Sequence, residues 1–464
     1  MKEYIPKEWQ PLITQYVMDN PKCAVWASMG SGKTAAILMA VDMLLICDRI
    51  APPILVVAPL RVAQSVWPDE LTTWACFKDL TFSVITGDAK NRSAMLKRRA
   101  DIYTINYENL HWLEKQLKGK WPFEMVIIDE GTRLKGFRIT QGTKRVRVLA
   151  KYAHNKIKRL VELTGTPAPN GLKDLWGQAW FLDAGKRLGR SFDAFRQRWF
   201  QRTFDGYGME PLPFAQKQIE EAMKDICISI DVKDYMDIKE PIVNIIKVKL
   251  PSKARKSYDE MEKLMFTELK ELFEDETHEV EAINAAAKSG KCRQIANGAI
   301  YTNTETKEWV EIHDIKIKAL EEVIEEAAGM PVLVAYHYNH GLARLKKAFP
   351  QGRVLDKKPK TEKEWNRGEI PILFAHPASA GHGLSLQHGT NIIAFFEIDW
   401  NFEHHEQIMQ RIGPVRQMQS GYDRGVFVYY ILAENTVDNL IIKRHTTKES
   451  IQQILLNAMK HKEN

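Results

Sequence analysis

The sequence predicts an α/β protein of two lobes, each built on a parallel sheet, and three observations carry that expectation. Short β-branched apolar runs alternate with amphipathic helical stretches in two successive sets. A glycine-rich turn, "WASMGSGKT" at 26–34, follows the short apolar "CAVW" and precedes a helical pattern. A further apolar run, "MVIIDE" at 125–130, ends in two acids.

The first set of runs comprises "ILVVAPL" (54–60), "DIYTINY" (101–107), "MVIIDE" and "RLVELTGTP" (159–167). Near-continuous Val, Ile and Leu without alternation is the pattern of parallel strands covered on both faces. The second set comprises "IVNIIKVKL" (242–250), "PVLVAYHY" (331–338), "PILFAHP" (371–377), "NIIAFFEID" (391–399) and "GVFVYYIL" (425–432). Residues 185–225 and 253–300 are instead rich in Lys, Glu, Met and Ala at helical spacing, as in "SYDEMEKLMFTELKELFEDE", and read as helical insertions. The expected lobes are 1–235 and 236–464.

The 464 residues exceed one comfortable core, which agrees with two domains. A composition of 44% hydrophobic and 27% charged residues excludes fibrous and disordered classes. A net charge of +7 permits a polyanionic partner without demanding one. The five cysteines lie far apart and form no C-x-x-C pair, so they are expected to be buried small apolar residues in a reducing cytosol. "MKEYIPKEWQ" lacks the apolar core of a signal peptide, and no apolar run is long enough to span a bilayer. A cytoplasmic location and no membrane partner are expected.

The glycine turn has the chemistry of a phosphate cradle. Gly30, Ser31 and Gly32 bring backbone N–H groups toward a phosphate chain, Lys33 supplies a point charge, and the Thr34 hydroxyl suits magnesium. Ala27 stands where the usual first glycine of the motif would be. Such a loop needs an acid-bearing strand: Asp129 can hold magnesium, and Glu130 can orient or deprotonate the attacking water.

With these motifs in place the chain resembles a superfamily-two helicase or translocase, most closely of the Swi/Snf type. "EWQPLI" resembles the adenine-reading glutamine motif at Gln10, with Trp9 as a stacking neighbour. "VVAPLRVAQSVWPDEL", "TINYE" and "LTGTPAPN" resemble successive motifs of the first lobe. "KCRQIAN", "VLVAYHY", "SAGHGLSLQ" and "IDWNFEHHEQIMQR" resemble those of the second.

The resemblance implies two RecA-like P-loop lobes, ATP and Mg2+ as cofactors, and Gly383 at the nucleotide. It implies nucleic-acid contacts at Pro59, Leu60, Arg61, Tyr107, Ser379 and Gly381. Thr164 and Thr166 would link the nucleotide site to those contacts. Three positions depart from the family pattern: Thr132 replaces a histidine, Ser385 an asparagine, and Pro414 the second arginine of the last motif.

Phosphoryl transfer builds negative charge on the γ-phosphate, and a cation from the second lobe would stabilise it. Arg411 and Arg416 in "QIMQRIGPVRQ" (407–417) are the candidates, with Gln407 beside them. Gly413 and Pro414 disfavour a continuing helix, so a turn either brings Arg416 back to the pocket or leaves it in water.

The acid-free run "GTKRVRVLAKYAHNKIKR" (142–159) could follow a phosphate backbone or be a solvated helix face. "FDAFRQRWF" (192–200) reads as packing more than as a single-strand platform. His404, His405, His337 and His340 lack a completing cysteine or carboxylate pattern for a metal. The expected activity is a double-stranded DNA translocase that hydrolyses ATP, without sequence preference and with an unidentified protein to displace or remodel. A strand-separating DNA or RNA helicase and a nucleotide-gated DNA-binding module of weak ATPase activity are the alternatives. The compact chain suggests a bacterial cell or a phage-infected host.

Overall fold

The computed structural model describes residues 1–28, 30–139, 144–165, 167–169, 171–202, 209–274, 289–303, 305–356, 359–380 and 384–447. The chain divides into two compact units, 1–201 with 210–237, and 202–209 with 238–464.

In the first unit the runs become β1 (Lys22–Ala27), β2 (Ile54–Ala58), β3 (Phe82–Ile85), β4 (Ile102–Asn106), β5 (Met125–Asp129) and β6 (Arg159–Thr164). β7 (Phe200–Arg202) and β8 (Met209–Pro211) pair with each other, and β9 (Cys227–Ile230) closes the main sheet. That sheet has seven strands in the order β3-β4-β2-β5-β6-β1-β9, parallel throughout. The order places β6 between the strand that feeds the glycine turn and the strand that carries Asp129.

β2, β4, β5 and β6 are buried at every position, as their unbroken apolar runs require. β3 and β9 sit at the two edges, are four residues long and are only partly buried, so neither stood out as an apolar run. Helix α1 (Gln10–Asp19) is tied to the sheet by Arg159, whose Nη2 donates to Val17 O and Met18 O, both at 2.7 Å. These are carbonyls of the last helical turn, where a cation also opposes the helix dipole.

The second unit contains β10 (Ile242–Val248), β11 (Ala299–Tyr301), β12 (Trp309–Glu311), β13 (Val332–Ala335), β14 (Arg353–Val354), β15 (Ile372–Ala375), β16 (Ile392–Phe395) and β17 (Phe427–Ala433). Six form a parallel sheet in the order β10-β17-β16-β13-β15-β14, while β11 and β12 make a small antiparallel pair. Alternate residues feed two cores on opposite faces: Leu333, Leu373 and Ile393 on one, Val334, Phe374 and Ala394 on the other. Lys316 and Asp438, 0% and 1% exposed, form a 2.7 Å ion pair within the unit.

Four expectations change. β10 is a parallel strand but an edge one, so Ile242, Val243 and Ile245 are exposed rather than buried. The 185–225 stretch is not wholly helical, because β7 and β8 interrupt helices Phe192–Trp199 and Ala215–Met223. Cys47 and Cys76 are exposed, since one ends a helix and the other lies on a short surface 3-10 turn; all five thiols are free. Within 145–159 the cations do not form one unpaired basic face, while 142 and 143 lie outside the described residues: Arg145, Lys151 and Lys158 pair with Glu108, Glu114 and Glu124 at 2.8, 2.9 and 2.7 Å, and Arg159 is buried.

Candidate functional site

β1 delivers the chain into the glycine turn, where Gly30 and Gly32 hold φ of +79° and +69°, a region that L side chains rarely adopt. Helix α2 (Lys33–Ile46) starts directly after, with no side-chain cap and no acid in its first turn. That leaves the positive end of a 14-residue helix facing the turn, ready for an anion. Lys33 Nζ donates to Ala27 O at 3.2 Å, and its charge acts on Asp129.

β5 ends in Asp129, which is 7% exposed. Its Oδ2 accepts from Trp67 Nε1 at 3.0 Å and its Oδ1 from the Glu130 N–H at 3.1 Å. Burial pushes the Asp129 carboxyl up, against the pull of Lys33, Trp67 and the Glu130 N–H. Glu130 holds φ +62°, so the acid pair sits on a left-handed turn. Behind it, the Tyr107 hydroxyl shares its proton between Asp129 O at 2.8 Å and Glu130 O at 3.1 Å.

This donor set fits a magnesium triphosphate. Open helix N–H groups and Lys33 suit the phosphates, and the Thr34 hydroxyl with Asp129 suits a hard cation that prefers oxygen. Among the described residues no group of three or more His, Cys, Asp or Glu could hold a metal by itself, so any magnesium would lean on phosphate oxygens and water.

The structure gives Trp9 and Gln10 a supporting position. Trp9 is 2% exposed, its Nε1 donates to Ser31 O at 2.8 Å, and its ring packs on Tyr235. Gln10 donates through Nε2 to Gly32 O at 2.9 Å and accepts at Oε1 from the Lys7 N–H at 2.7 Å. Both residues brace the glycine turn from behind; the Trp9 ring is covered here and does not present a stacking face. Ser31 is buried within the turn.

Tyr107, expected at nucleic acid, is 2% exposed and spent on the acid pair. Thr164 is fully buried at the end of β6. Pro59 is buried, Leu60 is exposed and Arg61 half-buried where β2 gives way to a π-helical turn at Val62–Val66. Ser379 is exposed on helix Pro377–Ala380. Thr166, Gly381 and Gly383 lie outside the described residues.

In the second unit Gln407 and Arg411 lie on helix Phe402–Ile412, 1% and 4% exposed. Arg411 Nη1 donates to Leu384 O at 3.3 Å, and Gln407 Nε2 to Glu403 Oε1 at 3.4 Å. Gly413 ends this helix and Pro414 opens the next, Pro414–Gln419, at the first-turn position where its missing N–H costs nothing. Arg416 therefore rides on a restarted helix instead of a loose turn. Its Nε is buried without a hydrogen-bond partner among the described residues, and burial lowers the guanidinium pKa, with Glu362 acting the other way.

Residue-by-residue reading missed a polar cluster in the same unit. Asp399 receives Arg293 Nη1 at 3.0 Å and lies 3.6 Å from His337 Nδ1. His376, His405 and His445 line a small cavity with Asp399 and His337. Burial raises the Asp399 carboxyl pKa, but Arg293 and His337 more than reverse this, so it ends below the ordinary range. The signal was present as separate histidines, but its parts are scattered between Arg293 and His445 in the chain. The aromatic residues of "FDAFRQRWF" are core: Phe192, Phe195 and Trp199 are 7%, 0% and 1% exposed.

Comparison with known proteins gives the chain its family. The SNF2-related domain matches residues 12–307. Protein p41 of Acyrthosiphon pisum secondary endosymbiont phage 1 is 51% identical, covering all of both chains. The ISWI chromatin-remodeling complex ATPase ISW1 of Saccharomyces cerevisiae is 22% identical over 94% of this chain, which spans 39% of that protein. The Sulfolobus solfataricus SWI2/SNF2 ATPase core in complex with dsDNA aligns over 96% of this chain and 92% of its own, at 18% identity and a TM-score of 0.45. The domain covers well over half of the residues, and the chain belongs to the SNF2-related family of nucleic-acid-dependent ATPases.

Proposed function

We propose that this ATPase translocates along double-stranded DNA without sequence preference, coupling ATP turnover in the first unit to movement through Arg411 and Arg416 of the second. The observation that carries the reading is the pairing of a glycine turn at a free helix N-terminus with the buried Asp129, within the electrostatic reach of Lys33. The resemblance to Swi/Snf-type translocases is the reason to choose duplex DNA as the track.

In this reading the N–H groups of residues 30–34 hold the phosphates, and Lys33 exchanges Ala27 O for their oxygens. Magnesium, held by Thr34 and Asp129, would neutralise charge on the phosphates. Glu130, on its left-handed turn, orients and deprotonates the attacking water. Arg411 and Arg416 stabilise the charge that develops on the γ-phosphate, and Gln407 accompanies them. On the same reading the segments around Leu60, Arg61 and Ser379 meet the DNA backbone, a role that the exposure of Leu60 and Ser379 supports.

ATP turnover measured with duplex DNA, single-stranded DNA and RNA, beside triplex displacement and duplex unwinding, tests the proposal. Duplex-stimulated turnover with triplex displacement is expected. Glu130→Gln should bind ATP and DNA yet lose turnover, and Arg411→Ala should lose turnover with ATP affinity kept. Stimulation by RNA alone, or unwinding without duplex stimulation, would overturn it.

A further inference from the structure

β6, the strand between β1 and β5, carries an acid at its centre. Glu162 is in register with Ala24 of β1 and Ile128 of β5, is 0% exposed, and neither carboxyl oxygen has a hydrogen-bond partner among the described residues. Every other side chain on β6 inward from Arg159 and short of Thr164 is aliphatic. An orphaned acid there costs stability and supplies no packing that a leucine would not supply. A core that breaks a local rule at such expense points to function.

What Glu162 faces narrows the function. A Cβ built on Gly131 would lie 3.3 Å from Glu162 Cβ and 3.4 Å from Oε2, so the carboxyl lies directly under the turn that follows Asp129 and Glu130. The next residue, Thr132, is 1% exposed, and its hydroxyl also has no partner among the described residues. Tyr107, whose hydroxyl braces the acid pair, is within the electrostatic reach of Glu162. Burial pushes the Glu162 carboxyl pKa well up, which favours its protonated form, and a carboxylic acid can both donate and accept. Two unsatisfied donor–acceptor groups thus flank one glycine with no side chain to separate them.

We propose that Glu162 is a positioning residue of the ATPase: as the nucleotide-bound enzyme passes into the transition state of hydrolysis, the 129–134 turn reaches its working position, and Glu162 and the Thr132 hydroxyl bond to each other and lock Glu130 in place. The inference rests on the reading of Asp129 and Glu130 as the cation-holding and water-orienting pair. The energetic logic is that of an interaction made only in the working state, which lowers the barrier without tightening ground-state binding.

The full chain is tested as Glu162→Leu, Glu162→Gln, Thr132→Val and the double variant Glu162→Leu with Thr132→Val, with duplex-stimulated turnover, thermal unfolding and Glu130→Gln as a control. Glu162→Leu should melt at or above the wild-type temperature, yet lose about tenfold in kcat while KM for ATP and the half-stimulating DNA concentration stay within about twofold. Glu162→Gln, which can still donate and accept, should keep most of the rate. Thr132→Val should lose as much as Glu162→Leu, and the double variant no more than either. Full kcat in Glu162→Leu, failure of Glu162→Gln to retain rate, or losses that multiply in the double variant would overturn the inference. Full turnover in Glu130→Gln would instead sink the acid-pair reading, whereas an inactive Glu130→Gln beside a full-rate Glu162→Leu refutes the role of Glu162 alone.

Discussion

Tyr107→Phe removes one oxygen and separates two explanations of a residue that the sequence places among nucleic-acid contacts. The hydroxyl donates to Asp129 O at 2.8 Å and Glu130 O at 3.1 Å, and the ring is 2% exposed. Loss of a buried donor leaves its acceptors unsatisfied, at a cost of about 1–2 kcal/mol. For a unit of this size that lowers its melting temperature by about 2–8 °C. The same carbonyls belong to the turn on which Glu130 holds φ +62°. A non-glycine residue in that region stores about 1–2 kcal/mol, so a turn released from Tyr107 can relax by that amount. If the relaxed turn is inactive, its population relative to the working turn rises by a factor of about 5–30, and kcat falls by the share of molecules that this shifts. The assay is duplex-stimulated ATP turnover over a DNA titration, beside differential scanning calorimetry. Reduced kcat and a lower melting transition, with an unchanged DNA midpoint, are expected. An unchanged melting transition and kcat with a weakened DNA midpoint would refute the argument and restore Tyr107 to the nucleic-acid surface.

Two further outcomes follow from the same structure. Gly32→Ala would place a methyl 2.5 Å from Gln10 Nε2 and force alanine to φ +69°, so nucleotide affinity should fall by at least about tenfold with the fold kept. Gly171→Ala, at φ +95° with nothing within 4 Å, is the control for backbone strain alone; equal effects on nucleotide binding in a fluorescent-analogue titration would count against the brace. His340 is 0% exposed, and burial holds its pKa down to about 4, helped by Arg344 and His337. The unfolded chain binds that proton first, so stability is complete above pH about 6.5 and is lost as the pH falls toward 4. His340→Phe, which can keep the stack on Tyr338, should therefore spare about 2 kcal/mol of the loss between pH 7.5 and pH 5. Parallel denaturant-unfolding losses in the two proteins would contradict this.

Much of the site was legible because its signals are local. A glycine turn between strand and helix, and an apolar strand ending in Asp129 and Glu130, are written in consecutive residues whose backbone needs no distant partner to be recognised. The strands followed for the same reason wherever both faces are covered; β10, β3 and β9 were misread or missed because edge position depends on strand order, not on the run itself. Helix Pro414–Gln419 restarted where a turn was expected, since a proline at the first helical turn is permitted although one in the interior is not.

The sequence by itself thus determined the fold class and the family and nominated Lys33, Asp129 and Glu130 as site candidates, because spacing along the chain sets those. Only the tertiary structure decided what surrounds them. Trp9 and Gln10 brace the glycine turn from 22 residues away, and Tyr107 reaches the acid turn across another 22. Arg145 finds Glu108 across 37, and Glu162 is left without a hydrogen-bond partner among the described residues beneath Gly131. Whether a polar side chain is paired, covered or orphaned depends on which strands become neighbours, and that order is fixed by burial of the whole sheet.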